Sequence, residues 1–180
     1  MFEDFRKTIN SFLQVRINLV IAAVVAIFTG VYLWVFSDLP PYGPISNELS
    51  NHSWGIIVDI AHKWRRFDFS FWDRGIGGGT CLFSSGFYPI FNPTNIIALL
   101  VSDDVFFKFK IIEPYVVGIF LAVFTLLEIF VLRWPYAVFG GLLYMGLGFG
   151  RLATLSDAPY FLWGCALFPA LVYALGKFEE

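Results

Sequence analysis

The chain is poor in charge. Asp, Glu, Lys and Arg make up 14% of its 180 residues, against roughly 25% in soluble globular domains. The net charge is −2, and no basic tail or long Lys/Arg block is present, so nucleic acid is not expected as a partner. Cysteine is almost absent. Cys81 falls in a polar loop and Cys165 in an apolar run, and that difference in depth argues against a disulfide between them. Two cysteines and two histidines scattered over the sequence do not make a metal signature of the usual close spacing. No internal repeat and no low-complexity segment are apparent.

What remains is apolar. Hydrophobic residues make up 58% of the chain, phenylalanine alone occurs 22 times, and the mean hydropathy is +0.71. The apolar runs are continuous rather than alternating, which favours helices over a barrel. A bilayer accepts that composition because a helix satisfies its own backbone polar groups. The sequence therefore predicts an all-α polytopic membrane protein with about four transmembrane helices and a large extracytoplasmic first loop that carries amphipathic juxtamembrane helices.

Residues 1–16 put Phe2, Phe5, Ile9, Phe12 and Leu13 on one helical face, as in an interfacial helix or a solvated start to a span. Residues 17–36 form the first span, since twenty helical residues cover about 30 Å, the thickness of the hydrocarbon core. The run is longer than a signal peptide's apolar region, so it is read as a retained anchor. Residues 37–104 form the loop, which opens with Pro40, Pro41, Gly43 and Pro44, all unsuited to continuing a helix. Residues 105–133 carry the second span, with Pro114 permitting a kink. Within it, Glu128 either reaches the interface near Arg133 or makes a polar contact between helices. Residues 135–155 form a glycine-rich third span built for close helix packing, and residues 160–176 form the fourth. Arg6, Lys7, Arg16, Arg133 and Lys177 then share one side, which places both termini in the cytoplasm by the positive-inside rule; the expected location is the cytoplasmic (inner) membrane.

The loop holds the chemistry-bearing residues. Over residues 54–66, Trp54, Ile57, Val58, Ala61 and Trp64 fall on one face and Asp59, His62, Lys63 and Arg66 opposite. That pattern fits a helix on the lipid surface whose cations can meet a phosphate. Asp59 and Lys63, at i and i+4, are expected to pair. The run Gly77-Gly78-Gly79 permits a tight loop or an anion-binding nest but is not a P-loop, because no Lys-Ser or Lys-Thr follows it. Residues 94–104 are too short to span and read as a re-entrant or interfacial helix.

One stretch resembles a known family. Phe71-Trp72-Asp73, Gly77-Gly78-Gly79-Thr80, Phe83 and then Tyr88-Pro89-Ile90-Phe91-Asn92-Pro93-Thr94-Asn95 are similar to a loop motif of polytopic YfhO-like proteins and of the type C (GT-C) membrane glycosyltransferases. The resemblance covers roughly residues 17–176 and is carried by 71–95. It implies transfer of a sugar from a polyprenyl-phosphate donor, with membrane lipids as surroundings. In that family an acid early in the first outer loop acts as the base or as a ligand of a divalent metal, and Asp38 holds that position here. Asp157 matches a second acid in the next outer loop. Lys63, Arg65, Arg66 and Arg151 are the cations available for the lipid phosphate. Family members have many more spans, so the chain is expected to be the amino-terminal part of such an enzyme or one part of a split one, with other membrane chains as partners. The alternative is a non-catalytic integral membrane subunit packed in a larger complex.

Overall fold

In a computed structural model, residues 2–36, 54–69, 72–73, 80–81, 90–146 and 159–178 are described. Among them are six helices: α1 (Phe2–Phe36), α2 (Trp54–Arg66), a 3-10 helix (Pro93–Leu99), α3 (Asp103–Glu128), α4 (Trp134–Gly146) and α5 (Pro159–Phe178). Strands β1 (Trp72–Asp73) and β2 (Thr80–Cys81) pair antiparallel, Trp72 with Cys81 and Asp73 with Thr80. The architecture is all-α, and two helices, Leu13–Val35 within α1 and Asp103–Glu128, are long and apolar enough to cross a membrane.

Several expected boundaries shift. The interfacial helix expected over 1–16 and the span after it are one uninterrupted helix of 35 residues, because no proline or glycine stands before Gly30 to break it. The apolar segment after Asn92 forms a single 3-10 helix of seven residues. Leu100, Val101 and Ser102 separate it from α3, which opens with Asp103 and Asp104, acids that suit the positive end of the helix dipole. The second apolar helix ends at Glu128 rather than 133, in a turn where Val131 takes a φ of +50°.

The chain divides into two compact units, one of residues 1–37, 112–156 and 161–180, the other of residues 38–111 and 157–160. In the first unit a core of small and branched residues joins α1 (Ala22, Ala26), α3 (Ile119, Val123, Leu127), α4 (Ala137, Met145) and α5 (Ala166). The contact of α3 with α4 is close enough to require glycine. A Cβ on Gly141 would stand 2.5 Å from Val123 Cγ2 and 3.3 Å from the Val123 backbone nitrogen. Small residues let helices approach this closely where no hydrophobic drive holds them together.

Two polar devices cross the same unit. Asn18 of α1 is 5% exposed. It accepts from Gln14 Nε2 at 3.1 Å and donates to Glu128 Oε1 at 2.7 Å. Of the two expectations for Glu128, the contact between helices is the one formed. In α5, Pro169 has no N–H to offer the carbonyl four residues before it, that of Cys165. The Tyr144 hydroxyl of α4 donates to that carbonyl at 2.7 Å, and Thr125 Oγ1 of α3 donates to the Pro169 carbonyl at 3.0 Å. The proline break is thus held from two neighbouring helices, as a break in an apolar environment requires. Beside it Tyr144, Gly164, Cys165 and Phe168 line an apolar pocket of about 250 Å³.

Candidate functional site

The second unit holds the loop residues. Its core is Ile56, Ile60 and Ala61 of α2 with Ile90, Ala98 of the 3-10 helix and Phe106 of α3, flanked by Ile57, Trp64, Phe69, Ile97 and Val101. The buried stripe of α2 therefore centres on Ile56, Ile60 and Ala61. It is rotated from the face expected around Val58, and what covers it is protein rather than lipid. The rotation has a simple cause: Ile56 and Ile60 are an i, i+4 pair of large apolar residues, and their burial outweighs that of Val58. The helix ends in a Schellman motif, with Phe67 N bonded to the Trp64 carbonyl at 3.1 Å and Asp68 N to the Lys63 carbonyl at 2.9 Å. Phe67 takes the left-handed position, with φ +52°, that glycine more often fills.

The cations of α2 differ in what they do. Arg65 donates from Nε to the Ala98 carbonyl at 2.8 Å, from Nη2 to the Val101 carbonyl at 2.7 Å and from Nη1 to Asp103 Oδ1. It ties α2 to the end of the 3-10 helix and to the first turn of α3. His62 Nε2 meets the other oxygen of Asp103 at 3.0 Å. Both carboxylate oxygens of Asp103 are thus engaged, so its role is to hold elements together. Lys63 Nζ lies 3.4 Å from Asp59 Oδ2, the pair expected from their spacing, and its side chain is only 12% exposed. Arg66 is exposed.

The second half of the motif is a braced turn. Asn92 caps the 3-10 helix, its Oδ1 accepting from Thr94 N at 3.0 Å and from Thr94 Oγ1 at 2.8 Å. Lys110 Nζ of α3 donates to the same Thr94 hydroxyl at 2.9 Å. Asn95, fully buried, donates from Nδ2 to the Ile90 carbonyl at 3.1 Å, and Trp64 Nε1 donates to that carbonyl at 2.7 Å. The Asn-Pro-Thr-Asn spacing is explained by these bonds. One Asn starts the helix, Pro fixes its first φ, and the second Asn closes the turn from inside. Trp72 and Asp73 stand on β1, paired with Cys81 and Thr80 of β2; Gly77, Gly78 and Gly79 fall between the two strands in sequence. Those glycines, Asp38, Tyr88, Pro89, Arg151 and Asp157 lie outside the described residues.

Asp103, His62, Thr94 and Lys110 belong to this network and carry no signal that sequence spacing reveals. Asp103 reads as an ordinary acid at a helix start, and its arginine is 38 positions away. Among the described residues no three His, Cys, Asp or Glu side chains come together as a metal site. The chain matches no protein-family model, no curated protein and no solved structure.

Proposed function

We propose that the chain is an integral membrane module that works on a polyprenyl-phosphate-linked sugar, in the manner of the type C glycosyltransferases, as the amino-terminal or split part of such an enzyme. In this reading it crosses the inner membrane about four times with both termini cytoplasmic, and residues 37–104 face outward. The observation that carries it is the braced turn at Ile90–Asn95. The resemblance rests on that motif, and its asparagines are spent on fixing the loop to the first residues of an apolar helix of 26 residues. A turn so held fixes the end of α2, and with it Arg66, for a lipid carrier's phosphate.

The chemistry follows from the residue types. The Asp38 carboxylate takes the proton of the acceptor hydroxyl as the acceptor oxygen bonds to the sugar's anomeric carbon. The bond from that carbon to the carrier phosphate breaks, and the phosphate leaves with the electron pair. Arg66 and Arg151 are the cations that would stabilise the leaving phosphate, Lys63 being held by Asp59. Arg65 supports them by fixing the end of α2. Asp157 is the second acid.

The test is sugar transfer from a labelled polyprenyl-phosphate donor in membranes containing the whole protein and its co-purifying chains. Asp38→Ala is expected to abolish transfer at unchanged protein level. Normal transfer by that variant would remove Asp38 as the base. A second reading is a non-catalytic subunit of a membrane complex, whose partner helices would cover the apolar surface that α1 leaves open, with Val20 61% and Phe28 74% exposed.

A further inference from the structure

The amphipathic helix expected to lie on lipid turns its apolar stripe inward, and a different surface takes the outward position. The 3-10 helix has three residues per turn, so residues three apart lie on one line along it. Asn95 and Ala98 form its inner line, and both are fully buried. Pro93, Ile96 and Leu99 form an outer line, all exposed, with Ile96 56% and Leu99 38% open. Leu100, which follows, is 85% exposed. The helix therefore buries an amide and a methyl, packs Ile97 partly against the core and exposes Ile96 and Leu99, a poor distribution for water as solvent. It is not a loose segment: Asn92, Asn95, Arg65 and Lys110 fix its start, its inner side and its end.

We propose that this ridge of Ile96, Leu99 and Leu100 is a lipid contact, seated at the boundary between headgroups and acyl chains. The proposal rests on the reading of α3 as a membrane span. Leu100 stands three residues before Asp103, the first residue of that helix. Three residues reach at most about 11 Å, so Leu100 lies close to the start of α3 and, with it, to the surface of a bilayer that α3 crosses. There, apolar side chains sink roughly 5–10 Å into the headgroup boundary. The occupant is the lipid itself. A structural consequence follows: the ridge sets the depth of the second unit on the membrane, and with it the height of Arg66 above the headgroups.

The test uses the full chain with Cys81→Ser and Cys165→Ser, reconstituted in vesicles of phosphatidylcholine and phosphatidylglycerol. Single cysteines replace Ile96, Leu100, Val24 and Asp59 in turn and carry an environment-sensitive fluorophore. All four positions face outward or are partly open, so no packed side chain is lost. Fluorophores at Ile96 and Leu100 are expected to lose most of their emission to lipids carrying a nitroxide near the headgroup and little to aqueous iodide. The Val24 probe should respond to a nitroxide deep in the chains, and the Asp59 probe to iodide. Iodide quenching at Ile96 and Leu100, with Val24 still quenched from the lipid, would overturn the ridge and leave the spans standing; a protein surface would then be its occupant. Iodide quenching at Val24 as well would overturn the membrane reading and the ridge together.

Discussion

Arg65 and Arg66 are adjacent, equally basic and differently employed. Arg65 spends three N–H groups on Ala98, Val101 and Asp103, whereas Arg66 is exposed at the end of α2. A guanidinium in a fixed fork of carbonyl and carboxylate acceptors is a brace, and one that extends into solvent can meet a ligand anion. Arg65→Ala leaves two carbonyls and a carboxylate without their donor. It is expected to lower the stability of the second unit by on the order of 2 kcal/mol. Arg66→Ala should leave stability within about 0.5 kcal/mol, the usual range for a surface change, while weakening binding of a short-chain polyprenyl phosphate. Thermal unfolding in detergent and a direct binding titration separate the two. Equal stability of both variants would remove the brace from Arg65.

At the scale of the element, the instructive case is α5. Proline inside an apolar helix frees a carbonyl that lipid cannot satisfy and that water does not reach in a hydrocarbon core. Tyr144 supplies the missing donor from α4, across 21 positions of sequence. Tyr144→Phe keeps the ring and removes only that donor, so its effect isolates the orphaned Cys165 carbonyl. The expected loss is about 1–3 kcal/mol in thermal unfolding. In a second variant, Tyr144→Phe with Pro169→Ala, the restored N–H closes the helix on itself and most of the loss should return. A single variant as stable as the parent would show that the carbonyl needs no donor.

The same element scale shows what the sequence could and could not disclose. The long helices were legible because continuous apolar runs have few alternatives, and the glycines of α4 were legible as a packing surface, which Gly141 against Val123 is. The existence of α2 was legible from its periodicity, and the Asp59–Lys63 pair from its spacing. Which face of α2 is covered was not, because periodicity gives a stripe without naming its partner. In the same way Glu128 showed that it needed a polar partner, but Asn18 lies 110 positions away, and nothing local connects the two. Of the site, the asparagines of the motif were legible as a pattern; their work as caps and closures came only from the fold.

For the molecule as a whole, the unevenly covered helix α1 is the main clue. Asn18, Ala22 and Ala26 form its narrow buried line, and 17% of the residues in its apolar stretch are buried among the described residues, against 56% in α3. In a bilayer that surface faces either lipid or other helices. Lipid tails accept valine and phenylalanine as readily as another protein does, so exposure alone does not choose. The proposed function chooses other helices: type C glycosyltransferases have many more spans, and on that proposal such spans would cover this face. Gentle extraction from the native membrane, followed by native mass measurement and identification of each co-purifying chain, is expected to return a complex containing a second polytopic chain. Such a complex should transfer sugar and lose that activity with Asp38→Ala. A complex with chains of unrelated function would move the protein to the subunit reading and leave Asp38 without a role in catalysis. A particle of 20.5 kDa plus detergent would mean that α1 faces lipid on its open side, and would exclude the split transferase.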